Sequence, residues 1–192
     1  MNKAHKEFLA SPDWARMLET DLLPWLERAA DLGDDVLEVG PGPGLTTDLL
    51  RQRVAKVTAV EIDDELVTAL RQRLAGTNVD VIRADATNTG LEANRFSAAA
   101  CFSMLHHVPS ADLQDAVFAE VSRVLRPNGM FLAVDSLDVD LIRQFHSDDV
   151  FVPVNPQTLG DRLEAVGFSD VSLEVGEFEL RFTAIKTGIE NH

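Results

Sequence analysis

The sequence contains a single cysteine among 192 residues, and this scarcity already limits how the chain can be stabilised. One thiol cannot form an intramolecular disulfide, so the fold must rest on a hydrophobic core, for which 45% apolar residues are sufficient. Apolar neighbours surround Cys101 in the chain, which predicts a buried thiol in a protein of a reducing compartment. We therefore expect one domain over residues 1–192 and a cytoplasmic location.

Long apolar runs and an excess of basic residues are also absent. No segment approaches the roughly 18 apolar residues that a membrane span needs, and the first residues lack the apolar core of a signal peptide. Lys and Arg number 17 against 32 Asp and Glu, and the net charge of -15 would repel a phosphate backbone. The sequence predicts no membrane or nucleic-acid partner, although acidic residues spread along the chain are equally explained by solubility.

Apolar periodicity predicts an α/β protein. After an amphipathic helix that begins at Ser11 and Pro12, short apolar strands alternate with helices. The predicted strands cover residues 36–39, 57–60, 79–82, 96–102 and 130–134. This alternation calls for a parallel sheet covered on both faces, and "SDVSLEVGEFELRFTAIKT" predicts an antiparallel hairpin at one edge. We therefore expect a Rossmann-like three-layer αβα sandwich with a seven-stranded, mostly parallel sheet and an antiparallel C-terminal edge hairpin.

Two segments lie outside this alternation. Residues 1–32 are predicted to form a helical cap, and residues 136–157 are long for a plain connection, which is typical of a lid over a binding site. Trp14 and His146 are the side chains expected to close a substrate pocket. A single histidine beside Asp148 and Asp149 in a loop is typical of a solvated turn, so no metal is expected.

A glycine-rich loop, "GPGPG", directly follows the first predicted strand. In a doubly wound sheet the ligand lies beyond the carboxyl ends of the strands, where this loop would be. Its spacing differs from the dinucleotide fingerprint G-x-G-x-x-G, and Pro41 and Pro43 lack the backbone N–H that could hold a phosphate oxygen. Three glycines and two prolines argue against a plain turn, because glycine is entropically costly without a reason.

Two carboxylates follow the next strands in order. Glu61 ends the second strand, where an acid can accept hydrogen bonds from two adjacent ribose hydroxyls. A helix N-cap is the alternative role for an acid here, and Asp63 or Asp64 fits that role better. Asp85 follows the third strand and could accept from an exocyclic amine such as that of adenine. Glycine loop, Glu61 and Asp85 together predict a nucleoside ligand without a pyrophosphate.

These motifs, taken in order, resemble the class I S-adenosylmethionine-dependent methyltransferases, in the small-molecule branch like methyltransferase type 11. "VLEVGPGPG" resembles the first motif of that family, "VTAVEID" its ribose motif and "VIRADAT" its adenine motif. "SMLHHVPS", "VLRPNGMFLAVDS" and "LEAVGFSDV" resemble later motifs. The resemblance spans residues 36–186 and implies S-adenosyl-L-methionine as the methyl donor. Its sulfonium and ammonium charges suit a pocket lined by acids.

The resemblance implies a role for the residues at the methionine end of this cofactor. Gly40, Gly42 and Gly44 would leave room for its methionine part. Glu38 would orient the ammonium group directly or through water. Ser103, after the fourth strand, would contact the amino-acid end through its backbone.

It implies roles at the nucleoside end as well. Glu61 would hold the ribose, with Ile62 against the adenine ring. The adenine amine would donate to Asp85, and a ring nitrogen would accept from the backbone N–H of Ala86.

The sequence does not name the methyl acceptor. The opening loop and "AVEID" also resemble rRNA adenine dimethylases, but those enzymes carry an Asn-Leu-Pro-Tyr-like motif where this chain has "SMLH", which disfavours RNA. "LHHVP" is closer to the small-molecule branch, and His106 or His107 could serve as a general base or could simply pack at the strand end.

A small-molecule O-, N- or C-methyltransferase is the favoured function. A catalytically silent S-adenosylmethionine-binding protein, an rRNA methyltransferase and a nicotinamide-dependent oxidoreductase remain open, as does a homodimer.

Overall fold

The computed structural model describes residues 11–29 and 31–188, and its centre is a seven-stranded sheet. The strands are β1 (Asp35–Val39), β2 (Lys56–Glu61), β3 (Val79–Arg83), β4 (Phe96–Phe102), β5 (Leu125–Ser136), β6 (Phe168–Val175) and β7 (Glu179–Lys186). Their order across the sheet is β3-β2-β1-β4-β5-β7-β6. Strands β1 to β5 pair in parallel, whereas β7 runs antiparallel to both β5 and β6. The predicted Rossmann-like sheet is confirmed, and the hairpin inserts its second strand between β5 and β6.

Helices and turns connect the strands. The helices are α1 (Pro12–Met17), α2 (Leu23–Ala29), α3 (Leu45–Leu50), α4 (Asp64–Arg73), α5 (Ala111–Val124), α6 (Asp140–Phe145) and α7 (Pro156–Ala165). Within the described ranges, none of them is long and apolar enough to cross a membrane. Part of the predicted N-terminal cap, residues 1–10 and 30, lies outside the described residues.

The first two helices form one rod that is interrupted by a π-helical turn at Leu18–Leu22. Ser11 begins the rod, because its hydroxyl accepts a hydrogen bond from the Trp14 N–H at 3.1 Å. Pro24 follows the π turn and cannot donate to the carbonyl four residues before it, which favours such a widened turn. Trp25 is buried beyond it and anchors the rod against the sheet.

Apolar side chains fill both faces of the sheet. Val36 and Leu37 are successive residues of β1, point to opposite faces and are both buried, as a central parallel strand requires. β4 contributes alanines at 98–100 to the same layers. Because β1 and β4 are neighbours whose chains continue to opposite sides of the sheet, a crevice opens beyond their carboxyl ends.

Candidate functional site

A cavity of about 440 Å³ lies at this crevice. Its volume is within the range of small-molecule sites, about 300–1,000 Å³. The loop after β1 forms one wall, and residues that follow β2, β3 and β4 form the others. Trp14 of α1 also lines the cavity. The site therefore occupies the position that the order of the motifs predicted.

The glycine loop presents no spare backbone donor to this cavity. The Gly40 N–H donates to Val60 O at 2.9 Å, and the Gly44 N–H donates to Pro41 O at 2.9 Å. The Gly42 N–H donates to Glu61 Oε2 at 3.2 Å. The remaining two loop residues are prolines, which have no N–H. Residues 40–44, all of which are described, therefore offer no amide for a pyrophosphate.

The three loop glycines have positive φ angles, of 69° at Gly40, 55° at Gly42 and 86° at Gly44. A Cβ at Gly40 would lie 2.3 Å from Met104 Cγ, so glycine keeps the loop close to the residue after β4. A Cβ at Gly44 would lie 2.5 Å from Leu70 Cδ2 of α4. Gly40 and Gly42 line the cavity, whereas Gly44 does not and serves packing against α4.

Glu61 presents its carboxylate at the cavity wall. Oε1 accepts from the N–H groups of Ile62 at 2.8 Å and Asp63 at 3.0 Å, and Oε2 accepts from Gly42. These backbone contacts fix the side chain while it still lines the cavity. The N-cap role belongs to Asp63, which accepts from the N–H groups of residues 65 and 66. The predicted N-cap role of Asp63 is confirmed, whereas the ribose role of Glu61 stays a prediction.

The wall after β2 and β3 carries the remaining residues expected at the nucleoside end. Ile62 lines the cavity with 61% of its surface exposed, which leaves an apolar face available for stacking. Asp85 and Ala86 line it as well. Asp85 Oδ1 accepts from the Thr87 N–H and hydroxyl, both at 2.8 Å, and this turn holds the carboxylate beside the cavity.

Glu38 is placed differently from these residues. It is only 1% exposed and does not line the cavity. Its two carboxylate oxygens accept from the hydroxyls of Thr46 and Thr47, each at 2.5 Å, which ties α3 to β1. Burial raises the pKa of Glu38 to about 7, although the two hydroxyls act in the opposite direction. The sequence prediction missed both threonines, which follow the glycine loop after one intervening residue, Leu45.

Ser103 lies directly after β4 and lines the cavity. Its φ angle is 52°, an uncommon value for a residue other than glycine. The Ser103 N–H donates to Val134 O at 2.8 Å. A ligand would therefore contact the backbone of Ser103 through its carbonyl.

Three histidines lie together near the cavity. His106 and His107 belong to the 3₁₀ turn Leu105–His107, and His146 follows α6. The ring centroid of His106 lies 4.2 Å from that of His107 and 4.9 Å from that of His146. His107 lines the cavity, whereas His106 and His146 are buried and do not line it. The structure thus separates the two candidate bases, and His146 contacts histidines rather than the pocket.

Asp135, near the end of β5, is the partner of His106. Its carboxylate contacts His106 Nδ1 and accepts from the backbone N–H groups of His106 at 3.2 Å and Ser136 at 2.7 Å. The sequence prediction omitted Asp135, because it considered the ends of the first four strands only. Asp135 directly follows the predicted strand 130–134, and that position was the signal available in the sequence.

The lining fits S-adenosylmethionine better than a dinucleotide. That cofactor carries positive charge and no phosphate, so it has no use for free loop amides. Glu61 and Asp85 supply acceptor-only oxygens, which match hydroxyl and amine donors. The residue types and the loop geometry agree on the same ligand.

Comparisons with known proteins point in the same direction. Residues 37–133, half of the chain, match the family described as methyltransferase domain. The chain is 41% identical over 73 residues to the ribosomal RNA small subunit methyltransferase A of Moorella thermoacetica, a stretch that covers 36% of this chain and 25% of that protein. The chain thus spans about a quarter of the length of the curated relatives it matches.

Two solved structures share the fold. The PH0226 protein of Pyrococcus horikoshii superposes with a TM-score of 0.76 at 22% identity, over 92% of each chain. Phosphoethanolamine N-methyltransferase 2 of Haemonchus contortus, solved with S-adenosyl-L-methionine, gives 0.73 at 15% identity, over 86% of this chain and 52% of that one. The chain belongs to the methyltransferase domain family, with the class I fold and the S-adenosylmethionine donor of that family.

Proposed function

We propose that this chain transfers the methyl group of S-adenosylmethionine to a small molecule. The observation that carries the proposal is a cavity whose loop has no free amide and whose wall presents the carboxylates of Glu61 and Asp85. Such a site favours a cationic nucleoside over a pyrophosphate, which argues against a nicotinamide-dependent oxidoreductase.

Within this proposal, the described residues bind the cofactor in two groups. Glu61 accepts from the ribose hydroxyls, and Asp85 accepts from the adenine amine with Ile62 against the ring. Gly40 and Gly42 make room for the methionine part. When bound, the cofactor supplies a methyl group on a positively charged sulfur, so the protein mainly contributes proximity and orientation.

Glu38 and Gly44 act indirectly in this proposal. Neither lines the cavity, so Glu38 fixes α3, the helix after the loop, through Thr46 and Thr47, and Gly44 packs the loop against α4. The role of Glu38 toward the ammonium group is therefore one of positioning. Ser103 contributes its backbone carbonyl at the same end.

The acceptor would lie at the end of the cavity near β4 and α5. Met104, Val108, Leu113 and Val117 line that end and make it largely apolar. Trp14 lines the same cavity from α1, as a closing side chain would. His107 is the histidine of the described residues that reaches the cavity, so it is the imidazole placed to take a proton from an acceptor.

RNA is the second candidate acceptor, because curated relatives over part of the chain methylate ribosomal RNA according to their names. Two features oppose it. The net charge of -15 repels a phosphate backbone. The residues after β4 include no Phe, Tyr or Trp to hold a flipped base, since 103–107 read Ser, Met, Leu, His, His.

Isothermal calorimetry with S-adenosylhomocysteine, the demethylated cofactor, tests the donor half. We expect binding to the wild type and at least a roughly tenfold weaker affinity for Glu61→Gln, because an amide loses the charge-assisted bonds. Glu65→Gln, an exposed carboxyl on α4, is the matched control and should bind like the wild type. NAD should not bind.

No heat signal at high micromolar S-adenosylhomocysteine, or equal affinity in Glu61→Gln, contradicts this site. Circular dichroism of each variant confirms that the comparison is between folded proteins.

Methyl transfer from labelled S-adenosylmethionine tests the acceptor half. A panel of small metabolites is compared with ribosomal RNA transcripts under one set of conditions. Label in a metabolite supports the proposal, whereas label in RNA alone overturns it. Cofactor binding without transfer to either class indicates the catalytically silent alternative.

A further inference from the structure

The three histidines form a cluster to which we assign no role in binding the cofactor. One nitrogen of each of His106, His107 and His146 lies within 4.8 Å of the others. Two of the three rings are buried, and Phe151 covers them, with its ring centroid 4.6 Å from His146 and 5.5 Å from His106. Clusters of imidazoles in a mostly apolar shell are typical of metal sites.

Each ring is oriented through its Nδ1 atom. His106 Nδ1 contacts the Asp135 carboxylate, His107 Nδ1 contacts Val150 O at 3.2 Å, and His146 Nδ1 contacts Ile142 O at 2.8 Å. In the tautomer in which Nδ1 carries the proton and donates to that oxygen, Nε2 carries the lone pair that a metal binds. A carboxylate or carbonyl behind each ligating histidine is the usual outer shell of such sites.

The separation of the three histidine nitrogens would suit a tetrahedral ion if the rings moved slightly closer together. Two nitrogens bound to one zinc ion lie about 3.3 Å apart, because each Zn–N bond is about 2.0–2.1 Å. The widest separation in the cluster exceeds that value by roughly 1.5 Å. His146 follows a six-residue helix in the segment at 136–157, so a small shift of that segment would close the triad.

We propose that His106, His107 and His146 bind a divalent transition metal, with zinc as the first candidate. Imidazole suits zinc and its neighbours, and three protein ligands leave a fourth position for water. His107 lines the cavity, so a metal held by this triad would lie beside the cavity wall. With the metal bound, the His107 imidazole would be a ligand, and hydroxide formed when the metal-bound water loses a proton to solvent would be the group that accepts a proton there. The site does not depend on the identity of the methyl acceptor.

The sequence prediction of no metal weighed His146 only against its chain neighbours Asp148 and Asp149. In the fold its neighbours are histidines that precede it by about 40 residues. The alternative is a structural role in which stacked rings hold residues 136–157 against the end of β4.

Titration of untagged, chelator-stripped protein with Co²⁺ and with Zn²⁺ tests the proposal. The wild type should bind one ion of each, and Co²⁺ should give the intense visible absorption of tetrahedral coordination. His146→Ala should weaken binding about a hundredfold or more, and Asp135→Asn by about 10–100-fold, as loss of an outer-shell carboxylate does. Asp148→Asn, an exposed carboxyl two residues from His146, is the matched control and should bind like the wild type.

Absence of stoichiometric binding by the wild type overturns the proposal, as does equal affinity in His146→Ala. Loss of binding in Asp148→Asn comparable to that in His146→Ala would assign the ion to the loop instead. Each variant is compared by circular dichroism and unfolding midpoint in chelator, so a misfolded variant is recognised. The wild-type titration stands on its own if a variant fails to fold.

Discussion

Replacement of Glu38 by Gln should change how the stability of this protein depends on pH. Burial raises the pKa of the Glu38 carboxyl to about 7, against an ordinary value of 4.5, because the ionised form loses its contact with water. The hydroxyls of Thr46 and Thr47 donate to the carboxylate but only partly offset this cost. Asp48 and Glu61 raise the pKa further through charge repulsion.

The sign follows from the protons bound in each state. Between pH 4.5 and about 7 the unfolded chain has an ionised Glu38, whereas the folded chain holds a proton there. Folding therefore takes up a proton, and the free energy of unfolding falls by about 1.4 kcal/mol per pH unit. Over this window the loss approaches about 3 kcal/mol and is complete above the folded pKa. Glutamine has no proton to exchange, so the variant lacks this loss.

Urea denaturation between pH 5.5 and 8.5 measures the effect, with the range starting above the isoelectric point of about 4.6 to limit precipitation. The unfolding free energy of Glu38→Gln minus that of the wild type should rise by roughly 2 kcal/mol from pH 5.5 to 7 and then level off. Glu65→Gln removes one surface charge and controls for the change in net charge. A constant or falling difference for Glu38→Gln would refute a proton held by the buried carboxyl.

Two further predictions concern the loop and the thiol. Gly40→Ala should destabilise more than Gly90→Ala in thermal unfolding: both glycines have a φ of 69°, but a Cβ meets Met104 only at position 40, and Gly90 has open space. Backbone strain alone costs about 1–2 kcal/mol, so equal losses would argue against the close approach. Cys101 should resist Ellman's reagent in the folded protein and react fully in denaturant, because burial raises the pKa of its thiol well above the usual value; rapid native reaction would contradict its burial.

The centre of the sheet could be predicted from the sequence because β1, β2 and β4 are buried on both faces. A continuous apolar run such as that of β4 (Phe96–Phe102) is recognised without knowledge of its neighbours, and its predicted bounds are those observed. Helix ends are harder to predict: the apolar pattern of α3 continues to Val54, but the helix ends at Leu50, where residues 51–53 form a turn. The sequence analysis does not predict the π turn before Pro24, because it places this helix by apolar spacing and does not use the missing N–H of the proline.

The cavity could be predicted to the level of strand ends. Glu61, Asp85 and Ser103 line it because the carboxyl ends of parallel strands meet at one edge of the sheet. Which of the motif residues actually face the cavity could not be read from the sequence. Glu38 turns to Thr46 and Thr47, since side chains on a strand alternate between faces and this one points into the layer beneath α3.

The histidine cluster could not be predicted from the sequence. His106 and His107 are adjacent in sequence, yet one is fully buried against Asp135 and the other reaches the cavity. His146 joins them only because α6 and the turn after it fold back toward the end of β4. Apolar periodicity predicts where each strand ends and therefore which residues meet there. A segment without such periodicity gives no indication in the sequence of the residues that it contacts. Residues 136–157 contribute none of the residues that line the cavity, and His146 is linked to it through its ring contact with His107. The metal titration tests this contact without the methyl donor.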